Sequence, residues 1–483
     1  MKFEHQKTNE ILRWFEEISK IPRCSKNEKA ACEWLVKWAR ENNFEATTDK
    51  VNNVLIQVPG TKGYENSPKV ILQGHVDMVC EKTPDSPHDF CKDPIKFVYN
   101  GDWLKADRTT LGADNGIAIA MAMTLALDKE TPHPPLELLF TVDEETGLTG
   151  ANALEPGFTT GKILINIDSE DEGTFTVGCA GGVHTNMTMP FEPEAVPKSY
   201  QQVKVSLGGM KGGHSGIDIN KEKGNAIKSL VYTLYVIKKE MDVRIAAISG
   251  GTAHNAIPRD AESIIFIPDS GKDKIKAIGA EVEKTLKMEY KNTDPDLFIK
   301  IVESTDAFTT ALNSDATANA LDFLLVLPHG VASMSTDIAG LVESSNNLAR
   351  VRVEDGKLKV LSSQRSSLLS KLTSLSVRLE AAARLAGGTA ETGSGYPPWQ
   401  PNMDSPLLKK SLEIYEHMFN KKPIVEVIHA GLECGIIGDR NPGMDMISIG
   451  PTLRFPHSPD EKLYLPSIGQ VWDFLAELLK QIH

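Results

Sequence analysis

Residues 69–77 read Lys-Val-Ile-Leu-Gln-Gly-His-Val-Asp, an apolar run too short for a typical helix, closed by a histidine and an aspartate. Two later runs share this form: Leu136 to Glu145, ending Asp-Glu-Glu, and Lys162 to Asp168, ending in aspartate. Short, continuous runs of Val, Ile, Leu and Phe are the signature of strands covered on both faces. Between the first two lies Gly116 to Leu127, an Ala, Ile and Met run of helical length entered through Gly112, Ala113, Asp114 and Asn115. The order strand, helix, strand, strand, with metal-type side chains at strand ends, predicts an α/β fold. Its sheet is mixed, mostly parallel and flanked by helices, with the site at the carboxyl ends of the strands.

Upstream, Thr8 to Ile18 and Glu28 to Glu41 carry apolar residues at helical spacing, and the Ser25 and Asn27 region is placed to cap the second helix. Downstream, the texture changes near Ser199, behind the Pro-rich stretch Pro190 to Pro197. Gln202 to Leu207 and Ser263 to Ile267 read as strands and Gly224 to Lys239 as a helix. A similar succession follows: strand Phe298 to Val302, helix Ala316 to Leu327, strands Asn347 to Val353 and Leu358 to Gln364, which suggests an internal duplication. The Pro-rich segment Thr389 to Asp404 reads as a hinge. Beyond it, helix Leu407 to Phe419, strands Ile424 to Ile428 and Met446 to Ile449, and helix Ile468 to Ile482 return to the first texture. The expected organisation is therefore a catalytic domain in two parts, 1–197 and 401–483, with an inserted α+β domain over 198–400.

The 483 residues are enough for two or three compact cores, and 41% apolar with 24% charged residues is a globular balance. A net charge of −13 disfavours nucleic acid and anionic membrane surfaces as partners. No 18 apolar residues run together and the N-terminus lacks a signal-peptide core, so a cytoplasmic location is expected. The six cysteines are scattered without a disulfide-framework spacing, and most read as reduced core thiols, Cys80 among them as buried and inert.

The residues that carry chemistry are His75, Asp77, Asp114, Glu144, Glu145, Asp168 and His457. Taken singly, each has an ordinary structural role open to it: a hydrogen-bonded histidine, a solvated Glu-Glu pair, a helix cap. Together they are the donor types that suit zinc, manganese or cobalt, with no thiolate in the set. His75 and Asp77 lie two apart on one strand and share a face, so Asp77 can orient the imidazole. Glu144 and Glu145, adjacent at a strand end, diverge, so that one can bind metal while the other serves as a base. The chain contains no His-Glu-x-x-His, no Gly-x-Ser-x-Gly and no phosphate-binding Gly-Lys-[Ser/Thr] loop.

The stretches Gly-His-Val-Asp-Met-Val (74–79), Leu-Gly-Ala-Asp-Asn-Gly (111–116), Phe-Thr-Val-Asp-Glu-Glu-Thr-Gly (140–147), Asn-Ile-Asp-Ser-Glu (166–170) and Pro-His-Ser-Pro-Asp-Glu (456–461) resemble those of the M20 family of metallopeptidases. His-Ala-Gly-Leu-Glu-Cys-Gly (429–435) and Ser-Ile-Gly-Pro (448–451) resemble its dipeptide-cleaving members. The resemblance implies two divalent metal ions, zinc first and cobalt or manganese as alternatives. Asp114 would bridge them, His75 and Asp168 completing one site and Glu145 and His457 the other, with Glu144 as general base and Asp77 as orienter. It implies hydrolysis of unblocked dipeptides, Xaa-His substrates of the carnosine type included. The rival readings are an N-acyl amino acid deacylase and a non-catalytic metal-dependent binding protein. The inserted domain resembles the family's lid. By position, His214 in Gly-Gly-His-Ser-Gly and Asn255 would meet the substrate, with His329 an alternative to His214 and His254 structural. Arg365 suits a dipeptide carboxylate, and Gly431 permits close backbone approach. A homodimer is compatible with the resemblance.

Overall fold

Strand Val70–His75 is buried along its whole length, as is its parallel neighbour Leu136–Thr141. On its other side Val70–His75 pairs in parallel with Ile163–Asn166, which pairs in parallel with Asp445–Ser448. The computed structural model describes residues 4–306 and 308–483. These four strands form the parallel centre of an eight-stranded sheet. It is extended on one side by Val54–Val58 and Glu45–Thr48 and on the other by Thr174–Cys179 and Ile424–Ile428. The pairings of Val54–Val58 with Leu136–Thr141 and of Asp445–Ser448 with Thr174–Cys179 are antiparallel, so the sheet is mixed. Helix Ala113–Leu127 has hardly an exposed residue and packs on Val70–His75 and on helix Gln6–Ile18. Helices Pro406–Phe419 and Leu465–Lys480 pack against one another. A helix apolar on every side belongs in a core, and this one supplies the layer against the parallel strands.

A small second sheet in this unit orders Leu453–Arg454, Lys462–Tyr464, Trp103–Ala106 and Phe97–Asn100. The loop between its first two strands carries His457. This unit comprises the chain up to Cys179 together with Trp399–Val427 and Leu432–His483.

The other unit, Ala180–Pro398 with Ile428–Gly431, is built on a nine-stranded antiparallel sheet. Its strands follow the order Phe298–Glu303, Tyr200–Gly208, Ala261–Pro268, Arg244–Gly250, Val342–Glu354, Lys357–Ser366, Gly181–Pro190, Thr389–Thr392, and Gly330–Met334 pairs with Val342–Glu354. Helices Ala226–Glu240, Lys272–Glu289, Ser314–Val326 and Leu369–Leu385 bury their apolar residues in one core with the strands. The chain enters this unit at Ala180, ahead of the change in texture at 198, because Gly181–Pro190 pairs along its length with Lys357–Ser366.

Three local expectations are corrected. Ser25 and Asn27 do not cap the second helix, Lys29–Glu41, whose N-cap residue is Glu28. Glu144 and Glu145 do not end a strand: Asp143 turns with φ +50° and the pair opens the short helix Glu144–Gly147. Cys24 and Cys80 are joined in a disulfide, with their Cα atoms 5.7 Å apart. Cys32, Cys179 and Cys434 are buried free thiols as expected, and Cys91 is exposed.

Candidate metal centre

The fold gathers the sequence-predicted residues of the first unit by ending each parallel strand, or the turn after it, at one place. His75 closes its strand fully buried, with Nε2 3.0 Å from Asp114 Oδ1 and 3.5 Å from Asp168 Oδ1. The other ring nitrogen, Nδ1, faces Asp77 Oδ1 at 3.2 Å. His457 Nε2 lies 3.2 Å from Asp114 Oδ2 and 3.0 Å from Glu145 Oε2. The two oxygens of Asp114 thus point to different histidines, each of which has a further carboxylate beside it. One donor atom from each of His75, Asp114 and Glu145 falls within 4.8 Å of the others.

Asp77 holds the arrangement from behind. Its Oδ1 accepts the backbone N–H of Glu144 at 3.0 Å, and its Oδ2 accepts the N–H of Glu145 at 3.2 Å and the hydroxyl of Ser25 at 2.8 Å. The carboxylate that faces His75 therefore also fixes where the Glu-Glu pair begins. Asn115 ties two ligand-bearing strands together: its Oδ1 accepts the His75 N–H at 3.1 Å and its Nδ2 donates to Ile167 O at 2.7 Å. Glu28, Asp77 and Asp143 make a second carboxylate cluster. Donors occupy one oxygen of Glu28, from the N–H groups of Lys26 and Asp143, and both oxygens of Asp143, from the hydroxyls of Thr146 and Thr149.

Electrostatically the centre is short of positive charge. Burial, with Asp168, Glu433 and Glu145 nearby, pushes Glu144 well above the ordinary carboxylate range against the pull of His75. Burial likewise raises Glu145 and Asp168. Burial also works against ionisation of Asp114, but the imidazoles of His457 and His75 outweigh it and hold the group low. Hydrogen bonds to Asp114 and Glu145 lift His457 to about 11. Two imidazoles thus stand against five carboxyl groups, and the buried Oε1 of Glu145 has no hydrogen-bond partner among the described residues. An oxygen and nitrogen donor set with an uncompensated negative field and an orphaned carboxylate oxygen fits divalent cations of the zinc, manganese and cobalt type.

The remaining predicted residues lie in the second unit. His214, on the two-residue strand Gly213–His214, accepts the N–H groups of Gly216 and Ile217 at Nδ1, both at 3.2 Å, and lines a cavity together with Asn255. Burial, helped by the Arg365 charge, lowers its pKa. Arg365 is buried in strand Lys357–Ser366; its Nη1 donates to Tyr396 Oη at 2.7 Å, while its Nε has no partner among the described residues. Gly431 packs against the Tyr396 ring, where a Cβ would come within 2.7 Å of Cε2. His329 is within 3.2 Å of Asn225 Nδ2, on the residue that caps helix Ala226–Glu240, and His254 stacks on His184 at 4.5 Å.

Sequence reasoning missed several residues that support the centre. Arg23 is fully buried and donates to Val76 O at 2.9 Å and Asp77 O at 3.0 Å. Glu433 is buried and accepts from Gln73 Nε2 at 2.7 Å and from Thr141 Oγ1 at 2.6 Å, under the ends of two parallel strands. Arg23 lies in no quoted motif, and Glu433, though it stands in the stretch 429–435, was given no role, because their partners are backbone carbonyls or neutral side chains rather than charged residues at a readable spacing.

The profile of peptidase family M20/M25/M40 matches residues 71–481. The chain is 40% identical to the cytosol non-specific dipeptidase of Escherichia coli over 468 residues, 97% of this chain and 96% of that protein. Its structure superposes on that of an aminoacylhistidine dipeptidase from Vibrio alginolyticus with a TM-score of 0.90 at 38% identity, covering 100% of this chain and 98% of the other. Aminopeptidase PepT from Bacillus cereus shares the fold, with a TM-score of 0.56 at 15% identity and 98% coverage of each chain.

Proposed function

The chain belongs to peptidase family M20/M25/M40 and is a metallopeptidase, and from that premise we propose that it is a dipeptidase with two divalent cations, zinc first, at this centre. Its substrates are unblocked dipeptides, Xaa-His peptides of the carnosine type included. The observation that carries the two-cation reading is Asp114, with one oxygen 3.0 Å from His75 and the other 3.2 Å from His457. His75 and Asp168 would hold one ion and Glu145 and His457 the other, with Asp114 shared. Such ions supply Lewis acidity, bringing the pKa of water from 15.7 toward roughly 7 and offsetting charge on the carbonyl oxygen.

The chain's own groups do the rest. Asp77 keeps the His75 ring oriented through Nδ1 and pins the backbone of Glu144 and Glu145. The Glu144 carboxylate, in a buried site that raises its proton affinity, takes the proton of the attacking water and returns it to the leaving amine. We assign substrate contacts to His214, Asn255, Arg365 and Gly431. The cavity shared by His214 and Asn255 and the Nε of Arg365, unpartnered among the described residues, support this.

Hydrolysis of a dipeptide panel with zinc, cobalt or manganese, before and after chelation, tests the reading. Activity is expected on free dipeptides, lost on chelation and restored by metal. Cleavage of N-acylated amino acids in preference to free dipeptides would replace the dipeptidase reading by a deacylase. Glu144→Ala is expected to lower kcat by roughly 10²–10⁴-fold with the metal retained. Undiminished hydrolysis in that variant would remove Glu144 as the base.

A further inference from the structure

We propose that Glu461 is a positioning residue, whose buried carboxylate gathers the backbone N–H groups of residues 111–114 and so sets the Asp114 carboxylate against His457. The inference rests on the two-cation reading of the centre. Glu461 is 1% exposed. Its Oε2 accepts the N–H groups of Leu111 at 2.7 Å and Gly112 at 2.9 Å. Its Oε1 accepts those of Ala113 at 2.8 Å and Asp114 at 3.3 Å. Four consecutive backbone donors thus end on one side chain.

Three observations make this more than a helix cap supplied from a distance. The segment it holds is not regular helix: Asp114 has ψ +105°, and its two carboxylate oxygens face His75 and His457. Glu461 also stands four residues after His457, in a loop tightened by its own N–H donating to Ser458 O at 3.0 Å. One loop thereby carries both the histidine beside Asp114 Oδ2 and the anchor of the Asp114 backbone. Finally, Arg23 holds the same segment from its carbonyl side, donating to Gly112 O as well as to Val76 O and Asp77 O. A buried carboxyl group on the N–H groups and a buried guanidinium on the carbonyl groups fix the 111–114 turn between the strand that carries His75 and the loop that carries His457. An ionised carboxylate is the side chain that can take all four donors, since it is acceptor-only with about four lone-pair sites. An amide in its place would turn an NH2 group against two of them.

The test compares wild type with Glu461→Gln, using Asp460→Asn as control; Asp460 is the exposed neighbour paired with Lys105. In Glu461→Gln, manganese affinity at the weaker site is expected to fall about 10–100-fold, the cost usual for losing an outer partner of a metal ligand. The magnetic coupling of a bound Mn(II) pair is expected to weaken, and kcat to fall while KM for a dipeptide holds. In metal-free protein, exchange of the 111–114 amides should accelerate while the amides of residues 117–125 keep their protection. A lowered melting temperature with metal affinity, coupling and amide exchange as in wild type would make Glu461 a structural cap and overturn the proposal, leaving the two-cation reading standing. A wild type that binds no divalent ion would bring down both. Should Glu461→Gln fail to fold, metal-free wild type decides: protected 111–114 amides support the anchor, and exchange at the rate of an unstructured peptide overturns it.

Discussion

Asp77 shows how much a single buried carboxylate can be asked to do. It faces His75 Nδ1 and accepts two backbone N–H groups and one hydroxyl with no exposed surface. An outer carboxylate on a ligand imidazole raises its basicity and fixes which nitrogen stays free. Asp77→Asn keeps one acceptor oxygen and places an amide NH2 where an N–H or hydroxyl now donates. The expected result is a drop of about 10–100-fold in zinc affinity, read by calorimetric titration of metal-free protein, with kcat falling alongside. Unchanged affinity would mean that His75 keeps its orientation unaided. At this scale the sequence was informative where chemistry lies in side-chain types. His75, Asp114, Glu145, Asp168 and His457, picked out by residue type, lie side by side. The roles of Arg23 and of Glu461, the last residue of the stretch 456–461, could not be read that way, because what they hold is main chain, and main-chain groups leave no letter in a sequence.

Among the elements, the segment between the first two helices was the least legible. It reads as a polar connection with a cap, yet three of its side chains are committed elsewhere: Arg23 to the backbone at 76 and 77, Ser25 to Asp77, and Glu28 to the N–H of Asp143. The Cys24–Cys80 disulfide fastens it to the stretch just beyond Asp77. Closing a loop of 56 residues is worth about 4 kcal/mol in the chain-entropy account. The double variant Cys24→Ser, Cys80→Ser is therefore expected to unfold at markedly lower urea, with a change of that order. A loss well under 1 kcal/mol would show that closing this loop restricts the unfolded chain far less than the entropy account requires. The strands that were easy to read are those with apolar residues throughout, such as Leu136–Thr141. Strand Val342–Glu354 was recognised only from Asn347 onward, because its first half, Glu-Ser-Ser-Asn-Asn, has the composition of a loop. Its polar side chains are nonetheless buried and in part hydrogen-bonded, Asn346 Nδ2 to Pro328 O at 2.6 Å and Ser345 Oγ to His429 Nε2 at 2.7 Å. Polar pairing of this kind has no periodicity to detect.

For the molecule as a whole, the second unit's enclosed histidines make stability depend on acid. Burial, with Arg365 and His254 nearby, lowers His184 to about 4; burial, with Lys228 nearby, lowers His329 to about 4. Burial, again with Arg365 nearby, lowers His429 to about 3. A histidine whose folded pKa lies below its unfolded value near 6.5 takes up a proton when the chain unfolds. Between about pH 6.5 and those lower values the unfolded chain binds more protons, so stability falls as pH falls; above 6.5 both forms are neutral and the contribution vanishes. Carboxyl groups raised by burial, Glu170 and Glu433 to about 7, run the other way, since they keep their protons when folded. The histidine contribution is therefore isolated by difference. His429→Gln cannot take up that proton, so its stability relative to wild type should improve by up to about 1.4 kcal/mol for each pH unit below 6.5. At pH 7.5 only the loss of the imidazole's contacts, that with Ser345 among them, should remain. Urea midpoints of the two proteins at pH 7.5, 6 and 5 measure this directly, and His329→Gln should repeat the trend. A difference that stays constant across that range would mean that the second unit accepts the charged imidazole at no cost, which a site 8% exposed beside a guanidinium gives no physical means of doing.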